Sequence, residues 1–342
     1  MRKIKIAIIA LQHSQKGDLR INQEYNSISK IRNSEILSFK KRSNPIKNLI
    51  KTYRKIIKFK PHIIHAHDLQ SYILSYFLVK RLKNSKLILD FHEFNDKVKK
   101  YYNFFGKLTY YFYKFMEKEL FQKADYIIKA VDEIQKQNIV KYQKRSITIH
   151  NFPIIKKNKV SKKRKNLNLV YAGGISPERG IFKNIKLLEI LNSKKNISCK
   201  LHLIGNTNDL LKDINNKNII YYGRIPHKEV SNILNKCDVG LCLLDKRESF
   251  DNSQPIKIFE YLNAGLFVLC SKLKRPQEMI KNKNVIMFSG DLNLMANKIE
   301  KLYQNNEFNY IKKEAKSYVN KKFNWINEEK KILKIYEELI QK

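Results

Sequence analysis

Short apolar runs alternate with segments whose apolar positions recur every three or four residues along nearly the whole chain. In the first half, "KIAIIAL" predicts a strand. "NPIKNLIKTYRKIIKFK" predicts a basic amphipathic helix stopped by Pro61, and "HIIHAH" a second strand. A helix over about 69–83, the strand "KLILDFHEF", a long aromatic helix over 100–122, the strand "ADYIIKAV" and the helix "DEIQKQNIVKY" follow, and "SITIHNFP" closes the half. The run 156–166, "KKNKVSKKRKN", is charged and lacks any apolar period, so it reads as a linker. The alternation then restarts with the strand "LNLVYAGG", a helix over 181–193, the strand "SCKLHLIG", the helix "DLLKDIN", the strand "NIIYYGRI", the helix "HKEVSNILNK" and the strand "VGLCLL". Repeated strand–helix units predict doubly wound parallel sheets, here as two Rossmann-like halves with a hinge between them.

The stretch 254–271, "QPIKIFEYLNAGLFVLCS", shows the local logic. Pro255 suits the first turn of a helix, Asn252 or Ser253 suits its cap, and Gly265 suits its left-handed end. "LFVLCS" then reads as a strand buried on both faces. Ligands of open parallel sheets bind beyond the carboxyl ends of the strands, where the loop 245–254 and the first helical turn lie. Lys257 and Glu260 fall off the apolar face of this helix and are expected to look into that crevice. The alternative is an exposed ion pair between them.

With 342 residues, 43% of them hydrophobic, the chain can fill two cores. No apolar run is long enough to span a bilayer, and the N-terminal apolar stretch, broken by Lys5, reads as a first strand and not as a signal peptide. Four scattered cysteines form no C-x-x-C pair, which argues against zinc and disulfide frameworks and fits a reducing cytosol. The net charge of +38 is uneven: residues 1–170 hold 39 basic against 12 acidic residues, and 171–342 hold 30 against 19. The stretch 41–60 has eight basic residues and no acid. Such a field favours anionic headgroups or nucleic acid as neighbours, set against a general drift towards Lys, Asn and Ile.

Taken in order, "YAGGISPERGI", "YYGRIPHKEVSNILNKCDVGLCLL", "QPIKIFEYLNAGLFVLCS" and "FNWINEEKKILKIYEEL" resemble the C-terminal half of GT-B-fold glycosyltransferases of the large family-four type. In the first half "GDLRINQEYNSISK", "HIIHAHDLQSYILSYFLVKRL", "LILDFHEF", "KADYIIKAVDEI" and "IHNFP" resemble the same group, so the resemblance covers essentially the whole chain. It implies an acceptor-binding domain over 1–155, the linker 156–166, a nucleotide-sugar domain over 167–322, and a final segment 323–342 whose helix crosses back to the first domain. The two halves would hinge and close on the donor. Implied is transfer of a sugar from a nucleotide-diphosphate donor to a hydroxyl of a glycan or lipid-linked acceptor in envelope or capsular polysaccharide synthesis. No metal and no cofactor beyond the substrate are expected.

The resemblance also distributes roles. The Gly173–Gly174 turn would let backbone approach the diphosphate, with the following helix pointing its dipole at it. The family carries an arginine after the first glycine and a lysine before the last. This chain has Gly174 and Arg179 there, so one cation is kept and one is missing, and Lys257 is the candidate to replace it. Glu260 matches the glutamate that grips the ribose hydroxyls, with Ile258 beside it. The partner glutamate that contacts the donor sugar is Asn252 here, which leaves sugar and stereochemistry open. Gly205, Arg224 and Ile225 would border the base. On the other half, His92 and Glu93 are the candidate catalytic pair, and Asp18, Arg20 and His67 are expected on the acceptor side. His65 and His67 alternate on one strand face; metal binding is not expected because no third ligand is evident. Nine Tyr or Phe residues among lysines over 99–120 suit a bilayer interface, set against core packing of one aromatic stripe. This places the chain in the cytoplasm, peripheral to the inner face of the plasma membrane.

Two other readings compete. A GT-B nucleotide-sugar epimerase would lack the "EYLNAG" pattern. A nucleic-acid-binding protein rests on charge alone, because no recognised module is present and the basic residues are dispersed.

Overall fold

The computed structural model describes residues 3–11, 19–40, 45–91, 104–132, 134, 136–155, 166–207, 210 and 216–341. The chain forms two compact units, Met1–Asn151 with Trp325–Lys342, and Phe152–Asn324.

In the first unit the order is β1 (Ile4–Ala10), α1 (Leu19–Ile28), β2 (Ser34–Lys40), α2 (Pro45–Phe59), β3 (Ile63–Ala66), α3 (Leu69–Arg81), β4 (Lys86–Phe91), α4 (Phe104–Lys123), β5 (Tyr126–Lys129), α5 (Lys136–Lys141) and β6 (Ser146–Thr148). The six strands pair in parallel in the order β2-β1-β3-β4-β5-β6. Residues 6–10 of β1 are sealed on both faces, which is why "IAIIA" carries no polar alternation. Helix α1 escapes the apolar pattern because "LRINQEYNSI" buries polar groups, among them Arg20, Gln23 and Glu24.

The second unit carries β7 (Leu167–Ala172), α6 (Ile181–Asn192), β8 (Cys199–Ile204), β9 (Ile219–Tyr221), α7 (His227–Leu234), β10 (Val239–Cys242), α8 (Glu248–Asp251), α9 (Ile256–Ala264), β11 (Phe267–Cys270), α10 (Lys274–Met279), β12 (Ile286–Phe288), α11 (Leu292–Gln304) and α12 (Phe308–Lys322). Its parallel sheet runs β12-β11-β10-β7-β8-β9. The expected linker, except Asn166, and the expected helix "DLLKDIN", except Leu210, lie outside the described residues.

The last helix, α13 (Trp325–Ile340), belongs to the first unit. Ile332, Ile335, Tyr336 and Leu339 form its buried stripe against Ile6, Ile8, Ile63, Ile88 and Ile128, the inner faces of four strands. The Trp325 indole donates to Ser27 Oγ at 3.1 Å, and Glu328 accepts from the His150 amide at 2.9 Å.

Two local expectations change. Asn252 is the C-cap of α8, a one-turn helix inside the expected loop, so it does not cap α9. Pro255 takes the N-cap position of α9 with no side-chain cap, while Gly265 ends that helix at φ 85°, in the left-handed region.

Candidate donor site and a buried charge cluster

In the second sheet the strand order reverses between β7 and β10, and such a switch point is where open parallel sheets bind ligands. The register explains how a crevice opens there. β7 and β10 pair only at Leu169–Val239 and Val170–Gly240, then part. The Ala172 amide, left without a strand partner, donates instead to the Tyr261 hydroxyl of α9 at 2.8 Å. Tyr261 reaches it because position 240 is glycine: a Cβ there would meet the Tyr261 ring at 2.3 Å. Burial pushes the Tyr261 hydroxyl well above its usual pKa, so it stays protonated.

Beyond the carboxyl end of β7 the chain turns through Gly173 (φ 135°), and beyond β8 through Gly205 (φ 140°). The two turns touch: a Cβ on Gly205 would stand 1.8 Å from the Gly173 carbonyl oxygen. A 3-10 turn, Pro177–Arg179, and Gly180 then lead into α6. Two cations flank the Gly173–Gly174 turn. The Lys257 ammonium lies 3.0 Å from the Cβ position of Gly173, and the Arg179 guanidinium about 3.8 Å from that of Gly174. Lys257 Nζ sits 3.8 Å from the Tyr171 ring centroid. The atom is buried and has no hydrogen-bond partner among the described residues. A buried ammonium set against a ring face and a glycine turn, with no hydrogen-bond partner among the described residues, is poised for an anion.

Glu260, one turn further along α9, accepts from His227 Nε2 at 2.8 Å and is 18% exposed against 62% for the histidine. Lys257 and Glu260 do not form the alternative exposed ion pair with each other; each has its own neighbours, Tyr171 and His227. His227 is the residue that sequence reasoning missed, although it stands two residues after Ile225, as the first residue of α7. Arg224 is exposed and Ile225 half-buried against the core. Ile258 is corrected: its side chain is fully buried in the core and its amide bonds Pro255. Asn252 is half-exposed at the end of α8. A separate cavity of about 460 Å³ opens at the amino-terminal edge of this sheet, lined among others by Lys195, Asp238, Tyr303 and Lys312. It lies at the wrong edge for a ligand of a parallel sheet.

In the first unit His92, Glu93 and Asp18 lie outside the described residues. Arg20 and His67, expected to face an acceptor, are sealed in the interior at 2% exposure each. Arg20 is the second residue of α1. Its guanidinium donates to both Asp90 oxygens at 3.0 and 2.9 Å and to the Ile149 carbonyl, and its Nε lies 2.9 Å from Glu24. His65 and His67 lie with ring centroids 4.2 Å apart beside the same carboxylates. Glu24, His65, His67 and Asp90 bring their ligand atoms within 4.8 Å of one another, so the third and fourth polar neighbours that the sequence did not show come from α1 and β4.

The family model "Glycosyl transferases group 1" matches residues 153–322, and that of "Glycosyltransferase Family 4" matches residues 2–152. No curated protein matches the chain. Among solved structures, sucrose-phosphate synthase of Thermosynechococcus elongatus is 15% identical, with 99% of this chain and all of that one covered at a TM-score of 0.72. Anabaena HepE in complex with UDP is 13% identical, covering 98% and 100%, at 0.71. A glycosyltransferase of Rickettsia africae is 15% identical, covering 99% of each chain, at 0.67. Two parallel six-stranded sheets, a last helix returned to the first unit, and two adjoining family matches that together run from residue 2 to 322 make this chain a member of the family-four type of GT-B glycosyltransferases.

Proposed function

We propose that this glycosyltransferase takes its sugar from a uridine-diphosphate donor bound by the second unit and passes it to a hydroxyl of a glycan or lipid-linked glycan. The observation that carries the donor class is the pair of cations, Lys257 and Arg179, closing on the Gly173–Gly174 turn at the switch point of the sheet. The base is chosen by analogy with Anabaena HepE, whose structures hold UDP and UDP-glucose.

In this reading the acceptor oxygen forms its bond to the anomeric carbon as the bond to the diphosphate oxygen breaks. Lys257 and Arg179 neutralise the charge that collects on the departing diphosphate. Lys257 replaces the cation missing at position 174. Glu260 leaves His227 and accepts from the ribose diol, and Asn252 hydrogen-bonds the sugar. His92, from its place in the "HE" motif, receives the acceptor proton.

The finer part of the reading is a membrane-bound acceptor. In the first unit α2, α3 and α4 pack side by side and carry the exposed Ile50, Phe77, Tyr111, Phe112 and Phe115. Five exposed cations of α2, Lys47, Lys51, Arg54, Lys55 and Lys58, accompany them. Exposed rings beside lysines and arginines suit an anionic lipid surface.

The test is a thermal-shift series with UDP, GDP, ADP, TDP and their sugars. Stabilisation by UDP and UDP-sugars, lost in Lys257→Ala and Glu260→Ala, is the expected result. No shift with any nucleotide would overturn the donor reading.

A further inference from the structure

Of the two cations at the glycine turn of the second unit, Arg179 is exposed, whereas the Lys257 ammonium is buried with no hydrogen-bond partner among the described residues. Desolvating an ammonium is costly, so its place needs a physical cause. The group beneath it is Tyr171, the fifth residue of β7, whose ring centroid lies 3.8 Å from Nζ. Tyr171 is fully buried and belongs to the core that Leu167, Leu169, Leu203 and Leu241 fill, so its ring is a fixed platform.

An aromatic face attracts a cation through its quadrupole and leaves the N–H donors of the cation unused. A carboxylate in the same place would hold Lys257 more tightly, but it would neutralise the charge and occupy the donors that an anion needs. The same side chain reaches the turn with its other end. The Tyr171 hydroxyl donates to the Gly174 carbonyl at 2.7 Å, and the Ile175 amide donates to the Asn206 carbonyl at 2.8 Å. The peptide between Gly174 and Ile175 is thereby held on both sides. Two consecutive glycines have no side chains to restrict them, so a turn built from them takes its shape from such bonds. Lys257 in turn fills the space beside Gly173, with Nζ 3.0 Å from where a Cβ would stand.

We propose that Tyr171 is the positioning residue of this anion site: its ring seats the Lys257 ammonium against the Gly173–Gly174 turn with the N–H donors kept for a ligand, and its hydroxyl fixes the shape of the turn. Tyr171 acts through Lys257 and the turn, so it governs affinity for a diphosphate and leaves the binding of an uncharged nucleoside untouched. Only the identity of the anion, a nucleoside diphosphate, rests on the proposed function; the seat is a property of the chain alone.

The first measurement needs no nucleotide: proton–carbon NMR of the full chain with lysine labelled at the ε carbon. A ring centroid 3.8 Å from Nζ moves the neighbouring ε-methylene protons upfield. One signal outside the bulk of the lysines, missing in Lys257→Met and retained in Tyr171→Phe, is the expected result. The second is calorimetric titration with UDP. Tyr171→Phe, which keeps the ring and loses the hydroxyl, weakens binding about threefold. Tyr171→Leu, which loses both, weakens it about a further tenfold in the native background and by less than about twofold in Lys257→Met, because the ring works through that lysine. Uridine binding, followed by ligand NMR, is the same in the native chain and the Tyr171 variants. Absence of the upfield signal overturns the proposal, as does an equal loss from removing the ring in the two backgrounds. Should Tyr171→Leu fail to fold, the signal and Tyr171→Phe still decide: unchanged UDP affinity in Tyr171→Phe overturns the role of the hydroxyl. An upfield signal in a native chain that binds no UDP supports the seat and sinks the donor reading alone.

Discussion

At the residue scale, the telling feature is a cation with nothing to hold. Lys257 Nζ is buried against a ring face and a glycine turn, with no hydrogen bond among the described residues. A cation–π contact contributes about 0.5–2 kcal/mol, which only partly offsets the desolvation of an ammonium. Lys257→Met is therefore expected to leave the unfolding midpoint unchanged or raised, while nucleotide affinity falls roughly ten- to a hundredfold, the loss of one charge-assisted contact. Calorimetric titration with UDP beside a urea melt separates the two effects. His65, sealed in the interior of the first unit, makes stability depend on pH. Its folded pKa is lowered, mainly by burial and against the pull of Asp90. The unfolded chain protonates at about 6.5. Between the two values the unfolded state binds more protons, so this contribution to stability is present above pH 6.5 and is lost as pH falls through the folded value. Urea melts at pH 7.5 and 5.5 should show the loss in the native chain and a smaller one in His65→Gln, which can still accept from Tyr336. An equal loss in both would exclude His65 as its source.

At the scale of elements, the carboxyl ends of β7, β8 and β9 are shaped by glycines with different duties. Gly205 (φ 140°) has the Gly173 carbonyl where a Cβ would go, whereas Gly223 (φ 65°) has open space. Gly205→Ala is expected to cost more than about 3 kcal/mol, because strain and a backbone clash add. Gly223→Ala costs only about 1 kcal/mol, the price of its positive φ. Equilibrium denaturation of both variants tests the contrast, and equal losses would argue that the two turns do not touch. These elements also mark how far the sequence could be read. Strands sealed on both faces, such as "IAIIA" and "FVLC", declared themselves through unbroken apolar runs, and Gly265 marked the end of α9. Helix α1 did not, because four of its six buried positions are polar, Arg20, Gln23, Glu24 and Ser27, and the partners of Arg20 lie at residues 90 and 149. No local pattern encodes a partner seventy positions away. Lys257 and Glu260 were legible as residues off the apolar face; that Glu260 meets His227 and Lys257 meets Tyr171 depends on how α9 is seated, which spacing alone does not reveal.

For the whole molecule, the unequal charge matters only if the structure gives it a direction, and the first unit does. Helix α4 divides its apolar residues. Met116, Leu120 and Phe121 fill the core, while Tyr111 and Phe115 are 69% and 57% exposed. Core packing accounts for the first set and leaves the second unexplained. The same outer layer carries exposed Ile50 and the five cations of α2, a helix with no acidic residue. Each basic side chain near an anionic surface contributes about 1 kcal/mol, and this attraction is screened beyond a Debye length of about 8 Å at physiological salt. No described helix is long and apolar enough to cross a bilayer. If the proposed lipid surface is met through these cations, the contact is salt-sensitive. In liposome flotation the chain should rise with vesicles containing anionic lipid, stay behind with neutral vesicles, and be released by high salt. Replacing Lys51, Arg54 and Lys55 by Gln should abolish flotation through charge, and Tyr111→Ser with Phe115→Ser should weaken it at any salt. Equal recovery in the soluble fraction with and without anionic lipid would mean that the exposed rings and lysines are an ordinary solvated surface, and that the acceptor is met in solution.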